Sequence, residues 1–370
     1  MALVLNEEQV MLRDAARDFL TARAPVEHLR SLRDAGNSVG YSSELWAEIV
    51  DMGWAAIVVA EEHGGLGYGF AGIGLLLEES GRTLTPTPLL SSSMVAAALI
   101  TRHGSDDQKA TYLPALASGE HLLALAVDEG TQHDPTSCNT VAVEAAGNYS
   151  LNGSKVAVVD GGFANTFIVA ARKSDESTGL FLVSANATGV KVDTVSHLDT
   201  HKAATVLFAD VEVSAAAELA MPDGLEFMLD VARIGQAAEL LGIAQEVLER
   251  TMTYLKDRKQ FGVAIGVFQG LAHRAANLYT EIELCKSVVL HALRELDAGT
   301  EDIAAIASMA KAKLAETAHL AATEGIQMHG GMGMTDECEI GFFLKRCQIV
   351  EALYGDRYFH LDRYAKLSGY

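Results

Sequence analysis

The chain has 370 residues, 49% of them hydrophobic and 21% charged, with a formal net charge of −21. That length exceeds one ordinary core and implies two or three domains, and the composition excludes a disordered chain. So acidic a chain excludes nucleic acid as a partner, because phosphate backbones are gripped by clustered Lys and Arg.

The four cysteines, Cys138, Cys285, Cys338 and Cys347, form no C-x-x-C pair and read as reduced thiols of a cytoplasmic protein. No basic stretch precedes a long apolar run at the N-terminus, so no secretory signal is expected, and no apolar run is long enough to span a membrane. No metal-ligand spacing occurs, so no metal is expected. Asn6 is placed to cap a helix from Glu7 to about Thr21, with Val10, Leu12, Ala15, Ala16, Phe19 and Leu20 along one stripe. A second helix spans about Ser43 to Met52 and stops at Gly53. The Gly-rich run Glu61–Gly69 reads as a loop, and Ala71–Glu79 as another helix. Pro86 and Pro88 break the chain before a helix over Ser91–Arg102.

Near Glu120 the pattern changes. Short apolar runs separated by turn signals (Leu122–Val127, then VAVEAAGNYSLNGSKVAVV, NTFIVAAR, GLFLV, GVKVDTV and ATVLFADVEV) predict an antiparallel sheet or barrel. From Gly224 the helical period returns, at about 224–257, 267–298, 301–328 and 340–366, which predicts a four-helix bundle. The expected architecture is therefore α+β and multidomain: helical over 1–120, β over 121–219, helical over 220–370. No internal repeat is visible.

Two motifs near the C-terminus carry chemistry. In DRKQFG, Arg258 lies just past a long helix, where a guanidinium grips a diphosphate with two parallel hydrogen bonds; Gln260 adds an amide and Phe261 a flat apolar surface. In IQMHGG, adjacent Gly330 and Gly331 let backbone approach a ligand and present bare N–H groups. Taken singly, the first also reads as a solvated helix end and the second as a helix stop. His329 beside the glycines either contacts a ligand or fills the turn, and Met328, Met332 and Met334 read as packing. Arg82 and Lys109 read as ion-pair partners, and Glu61, Glu62, Glu78 and Glu79 as solvated helix faces.

In their joint order these motifs resemble the acyl-CoA dehydrogenase family over essentially the whole chain. The resemblance rests on GW at Gly53–Trp54, EEHGGLGYG, EESGR, GSDDQKATYLPALASGE, LNGSKVAVVDGGFAN, VLFADVEV, DRKQFGVAIGVFQ and IQMHGGMGMTDE. It implies FAD as cofactor and desaturation of an acyl-CoA thioester between its α- and β-carbons. Electrons then pass to an electron-transfer flavoprotein. It also implies that Arg258, Gln260, Phe261, Gln327, Gly330 and Gly331 hold the ADP half of a neighbouring subunit's FAD, hence a dimer at least and a homo- or heterotetramer by type.

The chain departs from the family in the places that serve its own flavin. Where the family has T-E-P-x-A-G-S-D, this sequence has AVDEGTQHDP, so Val127 and Asp128 stand at the flavin-contacting turn and Asp128 replaces a hydroxyl residue. Where the family has W-[IV]-[ST], it has Ala157 for the aromatic and Val159 for the hydroxyl. The family's base is a Glu in a Y-E-G-T turn or on the first long C-terminal helix. Tyr354 or Gly355 falls at the first position and Ala232 at the second. Asp356 is the nearby carboxylate, either as base or as cap of the following helix; Glu239 and Asp128 are the fallback bases. The resemblance therefore implies one of two things: the base-lacking subunit of a heterotetramer, of the kind that oxidises bulky or steroid side-chain thioesters, or a self-sufficient homotetramer with an unorthodox base. A helper subunit without chemistry, and a flavin oxidase or monooxygenase on the same scaffold, are the other readings.

Overall fold

Asn6 opens the first helix by accepting the N–H of Gln9 while the Gln9 side chain returns to the Asn6 N–H, a reciprocal cap. The computed structural model describes residues 3–37, 39–145, 147–219 and 223–370. Six helices come first: α1 (Glu7–Arg23), α2 (Val26–Asp34), α3 (Ser43–Asp51), α4 (Phe70–Thr83), α5 (Ala97–His103) and α6 (Asp106–Ala117). The sequence pattern missed α2, whose residues are mostly polar, and α6, which carries Pro114 in its interior but is capped by Ser105. The single helix expected over 91–102 is instead a π-helix, Leu89–Ala96, that runs into α5.

Strands β1 (Leu123–Ala126), β2 (Val141–Ala145), β3 (Asn148–Val159), β4 (Thr166–Lys173), β5 (Thr178–Ser184), β6 (Val190–Ser196), β7 (Lys202–Ser214) and β8 (Glu218–Leu219) form one eight-stranded sheet. Its order is β6-β7-β3-β2-β4-β5-β8, with β1 also on β4. The sheet is open, not a barrel, and it is not purely antiparallel: β1 and β2 both run parallel to β4. These two strands lie one after the other along β4, against 166–169 and then 172–173, so residues 127–140 leave the sheet between them. A core of Phe167, Phe181, Phe208, Leu151 and neighbouring Val and Ala lines the sheet.

Helices α7 (Gly224–Asp257), α8 (Gln269–Ala298), α9 (Ile303–His329), α10 (Ile340–Ala352) and α11 (Arg357–Leu367) complete the chain, with a hairpin of β9 (Lys259–Gln260) and β10 (Val263–Ala264) between α7 and α8. Helix α9 packs against α8, α10 and α11. The fourth helix expected over 340–366 is broken in two, because Tyr354 and Gly355 take positive φ (58° and 107°) and Asp356 caps a new helix. The order helical, sheet, helical follows the sequence reading. Compactness groups the chain into two units: residues 1–31, 74–85 and 233–370, and residues 32–73 and 86–232.

Within the first unit α4 and α7 touch backbone to backbone. A Cβ on Gly242 would stand 1.8 Å from the Glu78 carbonyl oxygen, and one on Gly81 2.2 Å from that of Glu239. This closeness corrects the expectation that Glu78 and Glu79 face solvent. Glu79 is buried and paired with Arg17 at 2.7 Å, and Glu78 accepts from the Gln245 amide at 2.6 Å. Burial pushes the Glu78 carboxyl above its ordinary range. Arg82 pairs with Glu246 at 2.8 Å and also with Glu249, as a structural residue should. Among the described residues no helix is long and apolar enough to cross a membrane, and no group of three His, Cys, Asp or Glu side chains could hold a metal ion.

Candidate functional site

The C-terminal end of α7 turns directly into the hairpin. Arg258 N–H donates to the Tyr254 carbonyl (2.8 Å), and the Arg258 carbonyl accepts from Ile265 N–H (2.8 Å), so the backbone at Arg258 is pinned from both sides. The hairpin pairs Gln260 with Val263 and Lys259 with Ala264. Its two turn residues, Phe261 and Gly262, both take positive φ (54° and 84°), the requirement of a tight two-residue hairpin turn. Phe261 is thrown outward, 91% exposed, its ring edge-on to Phe268 with centroids 6.1 Å apart. The side chains of Arg258, Gln260 and Gln327 are exposed.

Helix α9 stops at Gly330, whose φ of 60° and ψ of −139° lie in a region that side-chain-bearing residues avoid. A Cβ built on Gly330 or Gly331 meets nothing within 4 Å, so the bare backbone there is open to an approaching ligand. Just before it, Met328 is buried with Leu255 of α7 and Ala275 of α8. His329 is buried too. Its Nδ1–H donates to the Gly325 carbonyl (2.7 Å), and its ring lies stacked on Tyr254 at 4.3 Å and 24°. Burial lowers the His329 pKa, so the ring fills the turn as a neutral group. The two motifs thus share one corner of the C-terminal helices. An exposed guanidinium, two side-chain amides, an open glycine backbone and an aromatic plate make a set suited to a diphosphate that carries an aromatic base. Beside the hairpin lies an apolar groove of about 640 Å³ lined by Leu248, Met252, Leu255, Val267, Ala272 and Tyr279 among others.

The turn that leaves the sheet at residues 127–140 is built differently. Asp128 Oδ1 lies 2.7 Å from Nδ1 of the buried His133, and the Asp128 carbonyl accepts from Val156 N–H at 2.8 Å. That amide is free to reach it because β3 bulges between Lys155 and Val158, with Ala157 at φ 51°. Beneath, the fully buried Lys155 ammonium donates to the Val127 carbonyl (2.9 Å) and to Glu129 Oε1 (2.7 Å), while Glu129 also accepts the amides of Asn139 and Thr140 at 2.7 and 2.8 Å. Burial raises the Glu129 carboxyl, but the hydrogen bonds from Lys155 and the two amides outweigh it and hold the pKa at about 2. Val127 and Val158 are buried, and Val159 is half-buried.

The turn at Tyr354–Asp356 is locked from behind. Lys311, fully buried, donates to the carbonyls of Val350 (2.6 Å) and Leu353 (2.8 Å) and to Gln236 Oε1 (2.7 Å). The Tyr354 carbonyl accepts from Arg233 Nε at 3.1 Å and from His360 Nε2 at 3.2 Å. Tyr354 and Ala232 are buried apolar-packed positions, and Gly355 has no side chain. Asp356 accepts the Phe359 N–H at 2.8 Å, so its carboxylate is occupied as the cap of α11. Glu239 pairs with Arg346 at 2.6 Å. Sequence reasoning missed Tyr254, Lys311, Arg233 and His360. Only Tyr254 left a signal, sitting one helical turn before Arg258.

Two family models match the chain: "Acyl-CoA dehydrogenase, N-terminal domain" over residues 6–120 and "Acyl-CoA dehydrogenase, C-terminal domain" over residues 225–367. An acyl-CoA dehydrogenase of Bacillus subtilis (strain 168) is 31% identical, over 95% of each chain. The mitochondrial isovaleryl-CoA dehydrogenase of Bos taurus is 32% identical over 94% of this chain and 84% of its own length. Among solved structures, a variant of the Tcur3481-Tcur3483 steroid ACAD superposes with a TM-score of 0.91 at 30% identity, over 98% of each chain. The chain belongs to the acyl-CoA dehydrogenase family of FAD-dependent oxidoreductases that act on CH–CH groups.

Proposed function

We propose that this chain is a subunit of an acyl-CoA dehydrogenase assembly. In this reading it lends its Arg258–Phe261 hairpin and Gly330–Gly331 turn to the ADP half of an FAD held chiefly by a neighbouring, related chain. Arg258, Gln260, Phe261 and the Gly330–Gly331 turn would hold the ADP half of FAD. When bound, FAD would supply the acceptor for the β-hydride of an acyl-CoA thioester while a carboxylate of the neighbouring chain would take the α-proton, the electrons leaving to an electron-transfer flavoprotein. One observation carries the reading: the groups offered outward are unencumbered, whereas every position where the chain would serve its own flavin or base is filled or turned inward. Arg258 and Gln327 have no side-chain partner among the described residues. Asp128, by contrast, is bound to His133, and Ala157 and Val159 offer neither stacking ring nor hydroxyl. Asp356 caps a helix, which weighs against its service as the base of a self-sufficient homotetramer. A bulky acyl group, steroid side chains included, is the substrate class favoured, because the chain is 30% identical to a protein described as a steroid ACAD.

The test is a visible spectrum of the chain purified alone and again after co-production with a related chain. Colourless protein that gains flavin with its partner is the expected result. Stoichiometric flavin in the chain alone, bleached anaerobically by an acyl-CoA, overturns the helper role. Oxygen uptake with peroxide release overturns the dehydrogenase reading in favour of an oxidase.

A further inference from the structure

The two halves of the outward-facing corner come from segments about seventy residues apart in sequence, Arg258 at the end of α7 and Gly330 at the end of α9, and something must fix their separation. Few direct bonds do so. The hairpin itself is two residues per strand, and its backbone hydrogen bonds are local. Beside the apolar contact of Leu255 with Met328, Tyr254 joins the halves by both a ring stack and hydrogen bonds. Its carbonyl takes the Arg258 N–H (2.8 Å), its ring stacks on His329 at 4.3 Å, and its hydroxyl donates to the His329 carbonyl at 3.4 Å. That carbonyl belongs to the peptide whose N–H is Gly330's, and the Gly330 N–H itself donates to the Gln327 carbonyl, so the hydroxyl holds the peptide that opens the twin-glycine turn.

We infer that Tyr254 is a positioning residue for diphosphate recognition, one that sets the distance between the Arg258 guanidinium and the open Gly330–Gly331 turn through its stack on His329. The inference rests on the reading of this corner as the grip on FAD's ADP half. The ring contact is the essential part, since the hydroxyl bond is long at 3.4 Å and the 24° stack is close. A neutral His329, favoured by burial against the opposing pull of its bond to the Gly325 carbonyl, suits that stack and adds no charge to the corner. The pair acts as a spacer: removing either ring lets the end of α9 and the first hairpin residue drift apart, and a two-point grip loses its geometry before it loses any donor.

The experiment titrates FAD into the apo form of the full chain, assembled with its related partner where one copurifies, and follows flavin fluorescence. Arg258→Ala probes the underlying reading. Tyr254→Leu, which keeps apolar bulk, probes the inference and is expected to weaken FAD about ten-fold, while Tyr254→Phe stays within about three-fold of the parent. His329→Ala removes the stack from the other side, so it substitutes for Tyr254→Leu should that variant fail to fold, and it should show the same ten-fold loss, about equal to that of the double variant. If Arg258→Ala weakens FAD but Tyr254→Leu and His329→Ala do not, Tyr254 is no spacer and the reading of the corner stands. If Arg258→Ala itself leaves FAD unchanged, the corner is not a flavin grip and both ideas fall. Retention by Tyr254→Phe assigns the effect to the ring and not the hydroxyl, and an FAD loss in Tyr254→Leu with an unfolding midpoint close to the parent's separates a ring spacer from general loss of packing.

Discussion

The corner at Arg258 and the sheet turn at Asp128 are both loops at the ends of regular elements, and both match family motifs in position, yet they are finished in opposite ways. At the corner the backbone is fixed and the functional side chains are left without partners: Arg258 is pinned by Tyr254 and Ile265 through its amide and carbonyl, and Phe261 stands 91% exposed. At the sheet turn the side chains close on one another. Asp128 takes His133, Glu129 takes Lys155 and two amides, and the ammonium also takes the Val127 carbonyl. A loop that satisfies its own polar groups gains stability and gives up donors, whereas a loop that leaves them open keeps binding capacity at the expense of local stability. The difference separates a loop that leaves its polar side chains open from one that uses them for its own structure.

If that contrast is right, substitutions in the two loops should separate stability from binding. The largest effect belongs to Lys155→Met, which leaves the Glu129 carboxylate buried without its cation. It should cost about 3–5 kcal/mol of unfolding free energy in urea titration. At permissive temperature the response of the corner to FAD should be unchanged. Next is Arg258→Ala, expected to leave the unfolding midpoint within about 0.5 kcal/mol of the parent while weakening FAD by roughly 2–3 kcal/mol, or about a hundred-fold. Arg258→Lys should recover only part of this, because an ammonium cannot make two parallel bonds to a diphosphate. Equal stability losses from Lys155→Met and Arg258→Ala would erase the distinction between the loops.

Much of this was legible in sequence, and the misses have physical causes. The helical and strand periods gave the order of segments, and Asn6, Gly53 and the Gly-rich run marked real boundaries. Periodicity could not show that 340–366 is two helices, because the break is short: Tyr354 and Gly355 take positive φ and Asp356 caps the next helix at once. Nor could it show β1 and β2 lying parallel to β4, a long-range pairing no local pattern encodes. At the site, Arg258, Gln260, Phe261 and the twin glycines were readable because exposed donors and glycine pairs are local motifs. Tyr254 and Lys311 were not, since each acts through a contact with a segment far along the chain, and His360 joins the nearby Tyr354 carbonyl to the distant Ser308. Glu78 and Glu79 misled because burial of an acid depends on an arginine and a glutamine elsewhere in the sequence.

The buried bases behind the Tyr354 turn sharpen the same comparison through pH. Burial, with the neighbouring charges of Lys311, Arg233 and Arg363, drives His360 down to about 2. A folded pKa below the unfolded one means the unfolded chain takes up the proton first, so stability falls as pH drops below about 6.5, by roughly 2 kcal/mol at pH 5. Lys311, lowered to about 7 by burial and then by Arg233, acts at the other end: the unfolded chain holds its proton longer, so stability rises as pH climbs from about 7 towards 10. Glu129 adds a loss only on going from about pH 4.5 down to 2, since its folded pKa is the lower one. Unfolding midpoints of the parent and of His360→Gln across pH 4–8 test this. The substitution should flatten the slope between about pH 5 and 6.5, and an unchanged slope would assign the acid limb to other groups.

The smallest effect is also the one whose sign is most informative. Phe261 holds φ 54° ahead of Gly262 at 84°, in a turn whose first position favours Asn over any aromatic. Phe261→Asn creates the Asn-Gly pair that such hairpins prefer, and it removes a ring that packs only edge-on against Phe268. In the isolated chain it should therefore stabilise, by about 0.5–1 kcal/mol. In the assembly it should weaken FAD by about 1 kcal/mol, because the exposed ring is lost as an apolar surface. An aromatic kept in a backbone conformation that disfavours it is explained by what it meets outside its own chain. A substitution that stabilised the chain and left FAD binding untouched would remove that explanation, and with it the case that the hairpin faces a neighbour's cofactor.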